Sequence, residues 1–115
     1  MPSDQICQLQ QVRDYIGDHL HLALSIPAIC RQFNTNKTSL QQRFRKYCGL
    51  SLHAFMLQRR MEKAATLLRQ SDEPVKFVAY QCGYKKVRSF NKAFKLHWKM
   101  SPGIYRKIVP RSKVT

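Results

Sequence analysis

An internal repeat restricts this chain to very few folds. Shifted by about fifty positions, the sequence lies over itself, with Leu40 on Phe90, Phe44 on Phe94, Ser51 on Ser101 and Phe55 on Tyr105. Upstream of the turn the offset is one residue shorter, so that Ile26 meets Val75, Ile29 meets Val78, Cys30 meets Ala79 and Asn34 meets Gly83. Each copy reads as a short apolar helix running into Asn or Gly, then a polar turn, then a second helix, which is the grammar of a helix-turn-helix. Asn34 and Gly83 stand where the chain must leave the first helix sharply, and both residue types tolerate the left-handed conformation of such an exit. One such pattern arises easily by chance; two in register, joined by a continuous helical stretch, do not. The expected fold is all-α, two helix-turn-helix subdomains joined by a long linker helix, with about seven helices in all.

The boundaries follow from caps and periodicity: a first subdomain over residues 1–50, the linker helix over 51–70, the second subdomain over 71–108 and a basic tail over 109–115. Ile6, Leu9, Val12, Ile16 and Leu20 mark an amphipathic first helix that Ser3 or Asp4 is available to cap and that should cover the first motif's core. Ser25 caps the next helix, where Pro27 is tolerable in the first turn and Ile26, Ile29, Cys30 and Phe33 point inward. Asn36 caps a helix from about Lys37 to Cys48, with Leu40, Phe44 and Tyr47 as its buried stripe and Gly49 as its stop. Ser51 caps the linker helix, whose Leu52, Phe55, Met56, Met61, Ala64, Ala65 and Leu68 are spread so as to serve both motifs. Asp72 and Glu73 before Pro74 predict an acidic helix start with Pro near the first helical position. In the second motif Phe90, Ala93, Phe94 and the pair His97/Trp98 turn toward a core.

The opposite faces of the two second helices carry the candidate functional residues. Thr38, Gln41, Gln42 and Arg45 are left outside in the first copy, and Arg88, Asn91, Lys92 and Lys95 in the second. Gln and Asn pair with an adenine edge in bidentate fashion and Arg with a guanine edge, so these faces suit reading a DNA major groove. Most basic helix faces are merely solvated; the repetition of the pattern favours function here. Arg59, Arg60 and Lys63 on the linker helix suit phosphate contact and simple solubility equally well.

Composition agrees. Twenty-one basic against six acidic residues give a formal charge of +15 over 115 residues, a bias toward a polyanion, while 43% apolar content is ordinary for a folded domain. No stretch approaches the ~20 apolar residues of a membrane-spanning helix, and residues 1–20 lack a charged start followed by a hydrophobic run, so a cytoplasmic location is expected. Cys7, Cys30, Cys48 and Cys82 form no Cys-x-x-Cys pair and read as buried thiols; His19 and His21, two apart, do not face one way on a helix. Neither a metal nor a cofactor is implied, and six scattered acidic residues assemble no paired carboxylates, so the chain is not expected to be an enzyme.

The second copy resembles the AraC/XylS-type transcription regulators, whose DNA-binding unit is two helix-turn-helix motifs on a shared long helix. Pro74-Val75, Val78-Ala79, Gly83-Tyr84, Phe90, Ala93-Phe94, Ser101-Pro102 and Tyr105-Arg106 stand in that family's order and spacing. The resemblance covers nearly the whole chain. Lys99, where the family usually has Gly, and Lys86, where a small polar residue is common, depart from the pattern. The resemblance implies sequence-specific binding of double-stranded DNA by a bacterial transcription regulator, commonly an activator that contacts RNA polymerase. The residues themselves do not separate activation from repression. Both recognition helices are expected on one side, about one DNA turn (~34 Å) apart, so that one chain enters successive major grooves as a monomer. A nonspecific nucleic-acid-binding or packaging protein is the alternative that charge alone supports. A chain of this length fits either a short regulator or the carboxyl-terminal piece of a longer one.

Overall fold

A computed structural model describes residues 3–22 and 24–109. They form seven helices: α1 (Ser3–Asp18), α2 (Ile26–Gln32), α3 (Lys37–Cys48), α4 (Leu52–Gln70), α5 (Val75–Gln81), α6 (Val87–Trp98) and α7 (Pro102–Ile108). No strand occurs among the described residues. The chain divides into two compact units, one holding residues up to Leu20 together with Leu24–Gln58, the other holding the residues from Arg59 onward, so α4 supplies its first turns to one and the rest to the other.

In the first unit α1, α2, α3 and the start of α4 surround a core of Leu9, Val12, Ile16, Leu20, Ile29, Cys30, Leu40, Phe44, Leu52 and Met56, while Ile6, Ile26, Phe33, Tyr47 and Phe55, also expected inward, are only partly buried. Phe44 lies edge-on to Phe55 with centroids 5.2 Å apart. Ser25 Oγ accepts from the Ala28 N–H at 3.3 Å, Asn36 Oδ1 from the Ser39 N–H at 2.8 Å and Ser51 Oγ from the Ala54 N–H at 3.1 Å, so the predicted caps satisfy amides that would otherwise lack a partner.

The second unit packs Met61, Ala64, Ala65 and Leu68 of α4 against Val78, Ala79, Cys82, Phe90, Phe94 and Tyr105. Phe94 is the centre of an aromatic cluster, 5.8 Å from Phe90, 6.3 Å from Trp98 and 5.4 Å from Tyr105 between ring centroids. Long side chains complete the attachment of α4: the Trp98 indole N–H donates to the Met61 carbonyl at 3.1 Å, Arg106 Nε to the Leu68 carbonyl at 3.1 Å and Arg69 to the Tyr105 hydroxyl at 2.9 Å.

The repeat extends to backbone hydrogen bonds. After α2, Asn34 takes a left-handed φ of 50°, its N–H bonds the Arg31 carbonyl and the Thr35 N–H bonds the Cys30 carbonyl. After α5, Gly83 takes φ 87°, its N–H bonds the Tyr80 carbonyl and the Tyr84 N–H bonds the Ala79 carbonyl. Both are Schellman exits, which turn the chain while satisfying the last carbonyls. Farther on, Gly49 (φ 79°) ends α3 with its N–H on the Arg45 carbonyl at 2.8 Å, and Lys99 (φ 64°) ends α6 with its N–H on the Lys95 carbonyl at 2.8 Å. Lys99 thus accepts the conformation its glycine counterpart reaches freely.

Some expectations change. Pro74 stands directly before α5, near its first helical position as expected, but no acidic residue lies in that helix's first turn. Ser71 explains this: its hydroxyl donates to the Leu67 carbonyl at 2.8 Å and accepts from the Glu73 N–H at 3.4 Å, so residues 71–73 close α4 and do not open α5. His97 is exposed, although its neighbour Trp98 turns inward. Cys30 and Cys82 are buried as expected, but Cys7 is exposed and Cys48 half-buried. The basic tail beyond Val109, and a capping role for the Ser3 or Asp4 side chain, lie outside the described residues.

Candidate nucleic-acid interface

Amphipathicity sets both recognition helices. In α3 the burial of Leu40 and Phe44 leaves Thr38, Gln42 and Arg45 exposed and Gln41 half-buried on the side away from the first unit's core. In α6 the burial of Phe90 and Phe94 leaves Arg88, Asn91, Lys92 and Lys95 all exposed on one face. Each helix therefore gathers its four predicted residues on a solvent face. The repeat relates all four positions of one face to those of the other: Thr38 corresponds to Arg88, Gln41 to Asn91, Gln42 to Lys92 and Arg45 to Lys95.

Two shallow grooves flank α6. One, of about 410 Å³, lies between Asn91, Lys92 and Lys95 on one wall and Val75, Pro102 and Gly103 on the other. The second, of about 400 Å³, is lined by Lys92, Lys95, Leu96 and Lys99. Leu96 is 65% exposed amid these lysines. This exposed apolar side chain is not among the residues expected on that face, and its chemistry suits the methyl group of a thymine.

The starts of the two helices differ. Asn36 caps α3, whereas Lys86 precedes α6 with no side-chain cap, and neither helix has an acidic residue in its first turn. The uncapped amides and the positive end of the helix dipole at α6 reinforce the charge of Lys85, Lys86 and Arg88.

The linker cations are partly committed elsewhere. Lys63 Nζ donates to the Gln81 carbonyl at 2.9 Å, capping the end of α5, and the Arg60 guanidinium lies 6.0 Å from the Tyr84 ring centroid. Arg59 makes an exposed ion pair with Glu62 at 3.2 Å. Burial pushes the Cys82 thiol up to about 11 against the opposing charges of Lys63 and Arg60, so it stays a neutral core thiol. Burial likewise raises the Tyr84 phenol, again opposed by Arg60. Among the described residues no group of three or more His, Cys, Asp or Glu is placed to hold a metal ion.

A family model for a helix-turn-helix domain matches residues 29–108, from within α2 to the end of α7. The chain belongs to the AraC-type helix-turn-helix family. Among its relatives is the HTH-type transcriptional regulator MtrA of Neisseria gonorrhoeae, 40% identical over 99 residues, or 86% of this chain and 32% of MtrA. The chain thus spans about a third of that relative. The fold is shared with the C-terminal domain of AraT, a response regulator from Geobacillus stearothermophilus, with TM-score 0.88, 28% identity, and 94% of this chain and 90% of that one covered. It is shared too with the DNA-binding domain of AdpA, a global transcriptional factor solved in complex with a target DNA, with TM-score 0.82, 25% identity and coverage of 86% and 89%. No helix among the described residues is long and apolar enough to cross a membrane.

Proposed function

We propose that this chain binds double-stranded DNA sequence-specifically and regulates transcription, with α3 and α6 entering successive major grooves of one duplex. The observation that carries the reading is the duplicated solvent face: corresponding positions of the two recognition helices hold hydrogen-bonding and cationic side chains while their inward positions are apolar and buried. Gln41, Gln42 and Asn91, each with an amide donor and acceptor, and Arg45 and Arg88, each with paired donors, are the base readers suited to bidentate pairing; Thr38 supplies a hydroxyl, and Lys92 and Lys95 are compact charges suited to phosphates. AdpA's DNA-binding domain, with the same fold, was solved on a target DNA, and MtrA is named a transcriptional regulator. Activation through RNA polymerase and a cytoplasmic location belong to this proposal, as does a chain that acts as a monomer, since two motifs in one polypeptide supply the bipartite contact. A net charge of +15 makes any binding steeply salt-dependent, so affinity alone decides nothing. The test is selection from a randomised duplex library at several salt concentrations. A specific-to-nonspecific affinity ratio of ~10³ or more supports the regulator. Binding indifferent to sequence at every salt concentration replaces it with a nonspecific packaging role.

A further inference from the structure

Arg43 lies on the flank of α3, between the exposed Gln42 and the buried Phe44, and its sequence context makes it look like one more surface cation. Its guanidinium is instead divided among three elements. Nε donates to Ser39 Oγ one turn back on α3 at 3.2 Å, one terminal nitrogen donates to Gln8 Oε1 on α1 at 2.8 Å, and the other to Thr35 Oγ1 in the turn at 3.1 Å. Gln8 extends the network, because its amide nitrogen donates to the carbonyl of Phe33, the residue that closes α2, at 3.1 Å. The second copy is built otherwise. Ala93 occupies the position of Arg43, and the turn residue Tyr84 reaches its helix through an edge-on contact with Phe90, centroids 5.6 Å apart.

We propose that Arg43 is a positioning residue that sets the rotation of α3 about its own axis, and through it the base preference of the first motif; the inference rests on the DNA-reading function proposed above. Apolar packing alone fixes how close a helix lies but resists rotation weakly, since a stripe of Leu40 and Phe44 can roll on its neighbours. Directional bonds on one flank do resist it. Side chains reach about 5 Å from a helix axis, so a rotation of roughly 20° moves their tips by about 2 Å. That exceeds the tolerance of a bidentate pair with a base edge, whose donor–acceptor distances span only about 0.5 Å. A charge engaged by three oriented acceptors is also poorly placed to serve as a free phosphate anchor.

The test uses the full chain and three variants, Arg43→Met, Gln8→Met and Gln8→Glu, in the duplex-library selection with a salt series. Base positions read by each helix are first assigned by Gln42→Ala and Arg88→Ala. Arg43→Met and Gln8→Met should lose about 5- to 100-fold of discrimination at the positions assigned to α3, the range of one bidentate contact. The positions assigned to α6 and the slope of affinity against salt should not change. Gln8→Glu keeps an acceptor for Arg43 and should retain most of the preference. Gln8 belongs to α1 and not to the solvent face of α3, so its effect reports positioning and not a lost base contact, and it decides the matter if Arg43→Met fails to fold. Wild-type preference in both folded Met variants overturns the inference while leaving the DNA-reading function intact. So does a uniform loss on all sequences with a salt slope shallower by about 0.9, the mark of a phosphate contact. A wild-type chain without sequence preference removes both.

Discussion

Lys99 offers a measurement in which the two repeats serve as each other's control. It sits at φ 64° and ψ 20°, ending α6 as Gly49 at φ 79° ends α3, with matching cap bonds of 2.8 Å. A left-handed conformation costs a residue with a Cβ about 1 to 2 kcal/mol. Lys99→Gly removes that strain, returns about 0.4 to 1 kcal/mol by loosening the unfolded chain, and forfeits about 0.3 kcal/mol of favourable charge at the helix terminus. The balance is a stabilisation of about 0.5 kcal/mol. Gly49→Ala reverses the exchange. A Cβ built on Gly49 meets nothing within 4 Å, so no clash contributes, and the net cost is conformational, about 1 kcal/mol. Urea denaturation reads both: fluorescence of Trp98, the single tryptophan, follows the second unit, which holds Lys99, and circular dichroism follows all the helices, including those of the unit that holds Gly49. Midpoints that move in opposite directions bear out the argument. A destabilised Lys99→Gly with an unchanged denaturant slope would refute it, by showing that the Lys99 side chain makes a contact worth more than the strain.

Other outcomes follow from the same structure. Arg88→Ala should weaken binding to a selected site by about 1 to 3 kcal/mol and relax preference at one base pair, measured by library selection, whereas Lys95→Ala should weaken all sequences alike and reduce the salt slope by about 0.9. Phe94→Ala, at the centre of the second unit's aromatic cluster, should cost about 3 to 5 kcal/mol, seen as early loss of Trp98 fluorescence on denaturation; a cost below ~1 kcal/mol would contradict that packing. Because burial raises the Cys82 thiol to about 11 from its unfolded 9.0, the folded state holds a proton that the unfolded chain releases between those values, and stability should fall as pH rises from 9 to 11 by on the order of 2 kcal/mol. Cys82→Ala should flatten that part of the pH–stability curve relative to wild type, and parallel curves would count against a buried neutral thiol. Sedimentation without DNA should show a monomer at micromolar concentration, and a stable dimer would contradict the bipartite reading.

Almost everything that depends on neighbours three or four residues apart was legible in the amino-acid sequence. The capping by Ser25, Asn36 and Ser51, the limits of α3 and α4, the inward stripes and the outward sets on α3 and α6 are all local, because a helix repeats its faces every few residues and its end bonds involve near neighbours. What tertiary structure alone decided concerns long polar side chains and strained termini. Arg43 and Arg45 are indistinguishable as residue types, yet one is held by Gln8, thirty-five residues away, and the other faces solvent. Lys63 caps α5 although its neighbourhood on α4 suggested only a solvated or phosphate-facing charge. Lys99 was visible as a departure from glycine, but that the helix end keeps its left-handed turn is settled by packing downstream, where the α7 residues Pro102 and Tyr105 are buried. The physical reason is common to these cases: a flexible side chain or one backbone torsion takes the state that its spatial neighbours stabilise, and those neighbours are far away in the chain.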